Sequence, residues 1–139
     1  MSRCVYIDAG VLIAAARGKN EIAQRAMEVL DNPDAVFASS LFVKLETLPK
    51  AIYQKKTEES LFYELFFASV TTWCTIDDEL VEIAYDEAKN AGISAMDALH
   101  IAAAIRTGAQ ELVTSEKQTS PIHRSKRITV KSIVPENAS

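Results

Sequence analysis

Short apolar runs alternate with longer segments of helical periodicity along most of this 139-residue chain. The short runs are rich in β-branched and aromatic residues, which is typical of buried strands. The first run, RCVYI, stops at Asp8, and the segment AGVLIAAA that follows reads as a helix. The predicted strands are residues 3–7, 35–38, 71–76, 111–115 and 128–134.

Between these strands, apolar residues recur at spacings of three and four, which predicts amphipathic helices. The predicted helices are residues 9–16, 21–30, 41–54, 57–69, 79–91 and 95–107. Asp77 or Asp78 is expected to cap the fifth helix, Gly92 to end it, and Ser94 to cap the sixth. Pro49 is expected to kink or divide the third helix.

The order of elements is β-α-α-β-α-α-β-α-α-β-β. Strands that alternate with helical stretches favour a mainly parallel sheet with helices on both faces, a three-layer α/β/α sandwich. One domain is expected over residues 1–134, followed by a short polar tail at 135–139. The helix at 95–107 is apolar nearly all round and is predicted to be the central buried helix.

Helices 41–54 and 57–69 carry more large apolar side chains than a single core-facing stripe requires. Tyr63 and Phe67 lie about 100° from the predicted core face and need other cover. This surplus predicts a groove for a partner, and ordinary core packing is the alternative. The side chains expected to face the core are Leu61, Phe62, Leu65 and Phe66.

Composition narrows the class of protein. Apolar residues make up 48% and charged residues 24%, as in ordinary globular domains, and the net charge of −4 argues against a basic DNA-coating protein. Cys4 and Cys74 lie in apolar runs and are predicted to be buried thiols rather than zinc ligands. No uncharged apolar run approaches the roughly 20 residues of a membrane span, and no signal peptide is visible, so a cytoplasmic protein is expected.

Four acids occupy positions that point to chemistry. Asp8 follows the first strand, and Glu116 lies just beyond the fourth. Asp97 lies in the first turn of the buried helix, and Glu46 lies within an otherwise apolar helix face. Because sites in open α/β sheets form beyond the carboxyl ends of the strands, these acids are expected to converge there. Such carboxylates repel one another unless a cation compensates, and their oxygens suit magnesium or manganese, which serve phosphodiester cleavage.

Each acid also has a purely structural interpretation. Asp8 would cap the following helix, and Ser94 with Asp97 would form a capping box. Glu46 would pair with a nearby lysine or arginine, and Glu116 would be a surface loop acid. A capping acid can also face a metal, so capping does not exclude a site. The remaining acids are expected mostly on solvated faces, namely Glu21, Glu28, Glu58, Glu59, Glu64, Glu82, Asp86 and Glu87.

Four segments together resemble PIN domains, particularly the VapC-like proteins of bacterial toxin–antitoxin pairs. They are VYIDAGVLIAA, LFVKLETLPKA, ISAMDALHIAAA and ELVTSEK, and they cover nearly the whole chain in the right order. The resemblance implies a parallel sheet between helices and a ribonuclease that depends on Mg²⁺ or Mn²⁺. It assigns metal binding to Asp8, Glu46 and Asp97, and it implies a homodimer and a small protein antitoxin bound near helices 41–69.

The fourth acid departs from the family pattern. An aspartate usually follows a Thr or Ser there, whereas Glu116 follows Thr114 and Ser115, and Lys117 replaces the aromatic residue often found next. Thr114 or Ser115 is predicted to hydrogen-bond a bound water or a carboxylate. His100, one turn beyond Asp97, is predicted to pack and hydrogen-bond structurally. The departure at Glu116 leaves open a PIN-fold module that binds RNA or a protein without cleaving it.

The segment HRSKR at 123–127 is the one concentrated basic stretch of the sequence. Arg124, Lys126 and Arg127 are predicted to contact RNA phosphates, and an exposed loop that aids solubility is the alternative. Two other families that begin with a strand and an aspartate are rejected. A haloacid-dehalogenase-like phosphatase needs a second aspartate where Gly10 stands, and a phosphoacceptor receiver domain needs adjacent acids at the end of the first strand.

Overall fold

A computed structural model of the protein describes residues 2–136. Most of the predicted polar tail, residues 137–139, lies outside the described residues. The strands are β1 (Arg3–Ile7), β2 (Ala35–Ser39), β3 (Thr72–Trp73), β4 (Glu111–Thr114) and β5 (Thr129–Ser132). The helices are α1 (Ala9–Arg17), α2 (Glu21–Leu30), α3 (Leu41–Tyr53), α4 (Thr57–Ser69), α5 (Asp78–Ala91) and α6 (Ala95–Arg106).

The five strands form one sheet in the order β3-β2-β1-β4-β5, and every neighbouring pair is parallel. The chain runs outward from β1 through β2 to β3 and then crosses back to place β4 on the other side of β1. The direction of winding therefore reverses between β1 and β4, which opens a crevice at their carboxyl ends. The predicted three-layer sandwich with a mainly parallel sheet is confirmed.

The helices form two groups. Helix α1 contacts α2, α3 and α4, whereas α5 contacts α6. Right-handed crossovers on the two halves of a parallel sheet place helices in this way. Helix α6 is the central one, as predicted, because nearly half of its residues are fully or almost fully inaccessible to solvent. Among the described residues, no helix is long and apolar enough to cross a membrane.

The caps explain where several helices begin and end. Asp77 caps α5 by accepting a hydrogen bond from the Leu80 N–H at 3.0 Å, and Arg106 donates to both of its oxygens. This pairing lowers the pKa of Asp77 to about 2. Gly92 ends α5 with φ of +66°, a conformation that glycine adopts without strain. Ser40 occupies the cap position of α3, but its side chain makes no capping hydrogen bond.

Pro49 does not divide helix α3, which is continuous over Leu41–Tyr53. A proline at this position removes the hydrogen bond to the carbonyl group of Leu45. Leu45 is 69% exposed, so water can satisfy that carbonyl group instead. The missing hydrogen bond therefore lies on the solvent-exposed side of the helix, where its loss costs the least free energy.

Two predicted strands are shorter than expected. The segment 71–76 contributes only the two residues of β3, at the edge of the sheet, and 128–134 contributes only Thr129–Ser132. Beyond β3, the Cys74 N–H still donates to the Ser39 carbonyl group at 2.9 Å. Short edge strands expose few unpaired backbone groups, which limits pairing with other chains. Cys74 is buried and Cys4 partly so, and both thiols are free.

The buried face of α4 differs from the prediction. Tyr63 and Phe67 are 0% and 6% exposed, whereas Leu61 and Leu65 are 54% and 64% exposed. The prediction for Leu61 and Leu65 was therefore wrong, although Phe66 is buried as expected. Since α4 is apolar on several sides, periodicity alone did not determine its rotation. A hydrogen-bonded acid on α4, Glu59, fixes it instead.

Glu59 and Glu87 were wrongly predicted to lie on solvated faces, since they are 9% and 4% exposed. Arg17 on α1 donates to both oxygens of Glu59 at 2.8 and 3.0 Å, and the Tyr63 hydroxyl group donates to the same carboxylate. The arginine keeps the pKa of Glu59 below its usual range. Glu87 on α5 accepts a hydrogen bond from the Ser125 hydroxyl group. Both acids are buried because each has a partner from another element.

Candidate metal centre at the carboxyl edge of the sheet

Asp8 lies at the carboxyl end of β1, where the winding of the sheet reverses. One carboxylate oxygen accepts the Gly10 N–H at 2.7 Å and so caps α1. The other accepts the Thr114 hydroxyl group at 2.7 Å from the end of β4. Thr114 Oγ1 also accepts the N–H of Glu116 at 3.1 Å. The predicted bond from Thr114 to a carboxylate is confirmed, and it fixes the orientation of Asp8.

Gly10 allows the loop after β4 to approach the first turn of α1. A Cβ atom on Gly10 would lie 2.0 Å from the Ser115 hydroxyl oxygen and 3.0 Å from the Ser115 Cβ atom, so a side chain at position 10 would force Ser115 to move. This role was missed from the sequence, where Gly10 served only to exclude a phosphatase. A signal was present, because glycine is unfavourable inside a helix and its presence there indicates a close approach.

Asp97 lies in the first turn of α6, partly buried. Its N–H donates to the Ser94 hydroxyl group at 3.3 Å, so the predicted cap is present. Burial raises the pKa of the Asp97 carboxyl group, and the negative charges of Asp8 and Glu116 raise it further, against a lowering by the Ser94 hydrogen bond. Three of the four predicted acids therefore share one electrostatic environment.

Glu116 extends from the exposed loop after β4. One of its carboxylate oxygens accepts the Ser120 hydroxyl group at 3.2 Å, and its backbone carbonyl oxygen lies 3.2 Å from the His123 imidazole. These contacts fold the segment 116–123 back on itself beside the end of β4. The Glu116 side chain therefore extends from a loop that is held by its own hydrogen bonds.

Glu46 on α3 contacts His100 on α6, with 2.5 Å between Glu46 Oε1 and His100 Nε2. The structural interpretation in which Glu46 pairs with a lysine or arginine is not what the structure shows. His100 is 3% exposed and makes a second hydrogen bond, to the Tyr6 hydroxyl group. The prediction that His100 packs and hydrogen-bonds structurally is confirmed.

No arginine or lysine neutralises the four acids. Among residues 2–136, Asp8, Asp97 and Glu116 form no salt bridge, and Glu46 pairs only with His100. The amino-terminal dipoles of α1 and α6 offset part of the charge on Asp8 and Asp97. In the described part of the chain, no three acidic, histidine or cysteine side chains lie close enough together to hold one ion.

The donor set nevertheless fits a hard divalent cation. Carboxylate oxygens are the ligands that Mg²⁺ and Mn²⁺ prefer, and neither a thiolate nor a free imidazole accompanies them here. Glu46 and Glu116 are exposed and lie on long side chains, so solvent and ions can reach both carboxylates. The pKa of Asp97 is raised by burial and further by the charges of Asp8 and Glu116, and a nearby cation would offset both effects.

The predicted basic residues do not lie together. Arg124 is hydrogen-bonded to the carbonyl groups of Ala91 and Gly92, which precede α6 and hence the turn that bears Asp97. Lys126 and Arg127 lie just before β5, beside the amino-terminal end of β4. They are separated from the acids by roughly 13 Å, the length of a four-residue strand. All three side chains are exposed.

A family model described as the PIN domain matches residues 5–122. The chain belongs to the PIN domain family. The match begins within β1 and ends within the 3₁₀ turn Pro121–Arg124, and it includes all four acids of the candidate centre. A search of curated proteins finds no match to this PIN domain.

Solved structures share the fold. VapBC2 from Rickettsia felis, bound to a DNA fragment from its promoter, is 17% identical, with 93% of this chain and 98% of that chain covered and a TM-score of 0.67. VapC20 from Mycobacterium tuberculosis, a toxin that cleaves the sarcin-ricin loop, is 16% identical over 78% and 86% of the two chains, with a TM-score of 0.62. FitAcB from Neisseria gonorrhoeae is 19% identical over 93% and 97%, with a TM-score of 0.65. The PIN domain described here is thus VapC-like in its fold.

The repulsion within the acid cluster predicts that Asp97→Asn stabilises the metal-free protein. A carboxyl group whose pKa is raised by folding lowers the free energy of unfolding of the protein as the pH rises. This decrease begins near the unfolded pKa of the group, about 3.9, and continues through its folded pKa. At pH 7 in EDTA, the variant is expected to melt at a higher temperature than wild type, because asparagine carries no charge that is buried beside Asp8 and Glu116. The gain should vanish below pH 4. Thermal unfolding followed by circular dichroism checks this, and a lower melting temperature of the variant at pH 7 contradicts it.

Proposed function

We propose that this PIN domain is a divalent-metal-dependent endoribonuclease that uses Mg²⁺ or Mn²⁺ bound by Asp8, Glu46, Asp97 and Glu116. The observation that carries the proposal is the electrostatic coupling of Asp97 with Asp8 and Glu116 near the point where the sheet reverses its winding. Three of these acids share one electrostatic field, and the fourth approaches from α3. Structural ion pairs do not explain them, because no lysine or arginine pairs with them in residues 2–136.

The residues have separable tasks in this proposal. Thr114 and the Gly10 N–H hold the two oxygens of Asp8 in a fixed direction and leave lone pairs for a metal. Asp97 contributes a carboxylate whose affinity for a cation is increased by its negative neighbours. A metal held by these residues would supply an activated water and would neutralise charge that grows on the phosphate. Ser115 is proposed to hydrogen-bond water beside Asp8, since its hydroxyl group lies against the first turn of α1.

RNA is the proposed substrate class, and the toxin of a toxin–antitoxin pair is the proposed biological role. The support is likeness to structures of VapC and VapBC proteins, one of which is a toxin that cleaves the sarcin-ricin loop. This likeness establishes the fold only, because the identities lie below 20%. The chemistry is supported separately, by the acids of this chain.

Cleavage of a pool of structured RNAs tests the nuclease directly. Wild type is expected to cleave with Mg²⁺ or Mn²⁺ and not with EDTA, and Asp8→Asn is expected to reduce the rate by at least about 100-fold because a metal ligand is lost. Glu82→Gln serves as the matched control, since Glu82 is an exposed acid on α5, and it should cleave like wild type. Equal rates for Asp8→Asn and Glu82→Gln would refute the assignment.

A PIN-fold binding module is the second candidate. Its supporting observation is that no three of the acids yet converge on one point in the described residues, while Glu46 is tied to His100. A folded wild-type protein that binds RNA but cleaves none with either metal would establish this alternative. The cleavage assay above therefore separates the two candidates.

We also propose that Arg124, Lys126 and Arg127 contact RNA phosphates. The triple alanine variant is expected to weaken RNA binding and to lower the slope of log affinity against log salt by about 1 for each phosphate that is no longer neutralised. Because Arg124 contacts the turn that precedes α6 and the other two lie beside the amino-terminal end of β4, Arg124→Ala alone should have the larger effect on cleavage. The control is the triple alanine variant of the exposed Lys19, Lys50 and Lys55, which removes the same charge. A salt slope that is unchanged relative to wild type removes the proposal.

The partner groove is proposed on α3 and α4, with a small antitoxin as its occupant, and a homodimer is proposed for the protein itself. Both helices expose large apolar side chains, although α4 exposes different ones from those first expected. The supporting comparison is that several structures with the same fold are VapBC complexes. The exposed side chains are Leu41, Leu45, Ile52, Tyr53, Leu61 and Leu65.

Charge placed in this groove should abolish antitoxin binding. Leu45→Glu together with Leu65→Glu buries two carboxylates against an apolar partner and is expected to weaken a complex with the protein encoded next to this gene by at least about 100-fold. Ile76→Glu is the control, because Ile76 is 45% exposed and lies outside both helices, and its complex should persist. Light scattering of the co-purified proteins measures the outcome. A complex that survives the double substitution places the partner elsewhere.

A further inference from the structure

A chain of buried hydrogen bonds leads from the centre of the sheet to Glu46. The Ser40 hydroxyl oxygen lies 2.7 Å from the Tyr6 hydroxyl oxygen, which lies 2.9 Å from His100 Nδ1. His100 Nε2 in turn lies 2.5 Å from Glu46 Oε1. Tyr6 and Ser40 are 0% exposed and His100 is 3% exposed, so water does not compete for these bonds.

When the His100 imidazole is neutral, the Glu46 carboxylate determines which atom donates in each of these hydrogen bonds. An ionised glutamate only accepts hydrogen bonds, so His100 Nε2 is the protonated ring nitrogen and donates the hydrogen bond to Glu46. Nδ1 is then an acceptor, and the Tyr6 hydroxyl group donates to it. The Tyr6 oxygen in turn accepts from Ser40. Tyr6 thus selects the tautomer of His100 that can bind Glu46.

Simple packing does not account for these polar groups. A buried phenol and a buried imidazole cost free energy unless they are hydrogen-bonded, and apolar side chains fill such volumes without that cost. Ser40 stands at the cap position of α3, yet its side chain makes no capping bond and contacts Tyr6 instead. Helix α3 therefore lacks a stabilising side-chain cap, because the Ser40 hydroxyl group is hydrogen-bonded to Tyr6 instead.

The contact restrains one oxygen of Glu46 and leaves the other available. Glu46 has a 41% exposed side chain, and His100 is its one hydrogen-bonding partner among the described residues. Oε1 accepts from His100, whereas Oε2 accepts no hydrogen bond from residues 2–136. A free glutamate on a helix surface samples many rotamers, and restraining it before a ligand arrives removes that entropic cost from binding.

We propose that His100 and Tyr6 are positioning residues that hold Glu46 in one rotamer and present its Oε2 to the divalent metal. This inference rests on the proposed function, since it assigns a partner to one of the metal ligands proposed there. Neither residue touches the metal. They act through Glu46, as hydrogen-bonding partners behind a ligand commonly do.

Manganese affinity, measured by isothermal titration calorimetry on the full chain, tests the proposal without relying on cleavage. His100→Leu fills the space without donating and is expected to weaken Mn²⁺ binding about 10- to 100-fold. His100→Gln, which retains an N–H donor on a side chain of similar length, should restore part of the affinity. In a Glu46→Gln background, His100→Leu should have no further effect, because its action passes through Glu46.

A control separates positioning from general destabilisation. Thr47→Val removes a buried hydrogen bond to the Val43 carbonyl group in the same helix and should lower the melting temperature without changing Mn²⁺ affinity. If His100→Leu does not fold, Tyr6→Phe replaces it, because removal of one oxygen frees the tautomer of His100 and should weaken Mn²⁺ binding several-fold.

The outcomes are distinct. An equal decrease in affinity from His100→Leu in the wild-type and Glu46→Gln backgrounds overturns the positioning role, and so does a decrease in stability with unchanged affinity. Wild type that binds no Mn²⁺ overturns the proposed function itself and this inference with it. Coupling between the two positions, with rescue by His100→Gln, supports both.

Discussion

The burial of Asp97 near two other carboxylates is the constraint on which the candidate metal centre depends. Asp8, Asp97 and Glu116 come from three distant parts of the sequence, and burial, followed by the negative charges of Asp8 and Glu116, raises the pKa of Asp97. No lysine or arginine in the described part of the chain relieves that repulsion. The fold tolerates it because Asp8 caps α1 and Asp97 lies in the first turn of α6, and the helix dipoles favour negative charge at those ends.

The sheet topology is what brings these acids together. Because the winding reverses between β1 and β4, the loops after these two strands diverge and leave a crevice at their carboxyl ends. Thr114 spans that crevice by binding Asp8, and the absence of a side chain on Gly10 lets the β4 loop close against α1. The parallel core thus fixes the position of Asp8, while Glu46 and Glu116 remain on exposed side chains.

The sequence predicted the three layers and the order of strands and helices along the chain, since apolar runs and a uniformly apolar helix are local signals, whereas the metal-binding role of the four acids stays a prediction. It failed where the answer depended on tertiary packing. The rotation of α4 is one case, because Glu59 is buried only through Arg17 on another helix. The contact between Glu46 and His100 is another, because it joins two helices far apart in sequence. The separation of Arg124 from Arg127 likewise follows from a loop that returns along the whole length of β4.

Anomalous diffraction from crystals soaked in Mn²⁺ shows directly whether these acids form a metal centre. We expect an anomalous peak in the crevice between β1 and β4, roughly 2.0–2.3 Å from carboxylate oxygens of Asp8 and Asp97, with Glu46 still bound to His100. The same crystals of Asp97→Asn should show a weakened peak or none. A wild-type crystal with no peak at this edge of the sheet, or with manganese bound only elsewhere, would contradict the assignment of these acids as a metal centre.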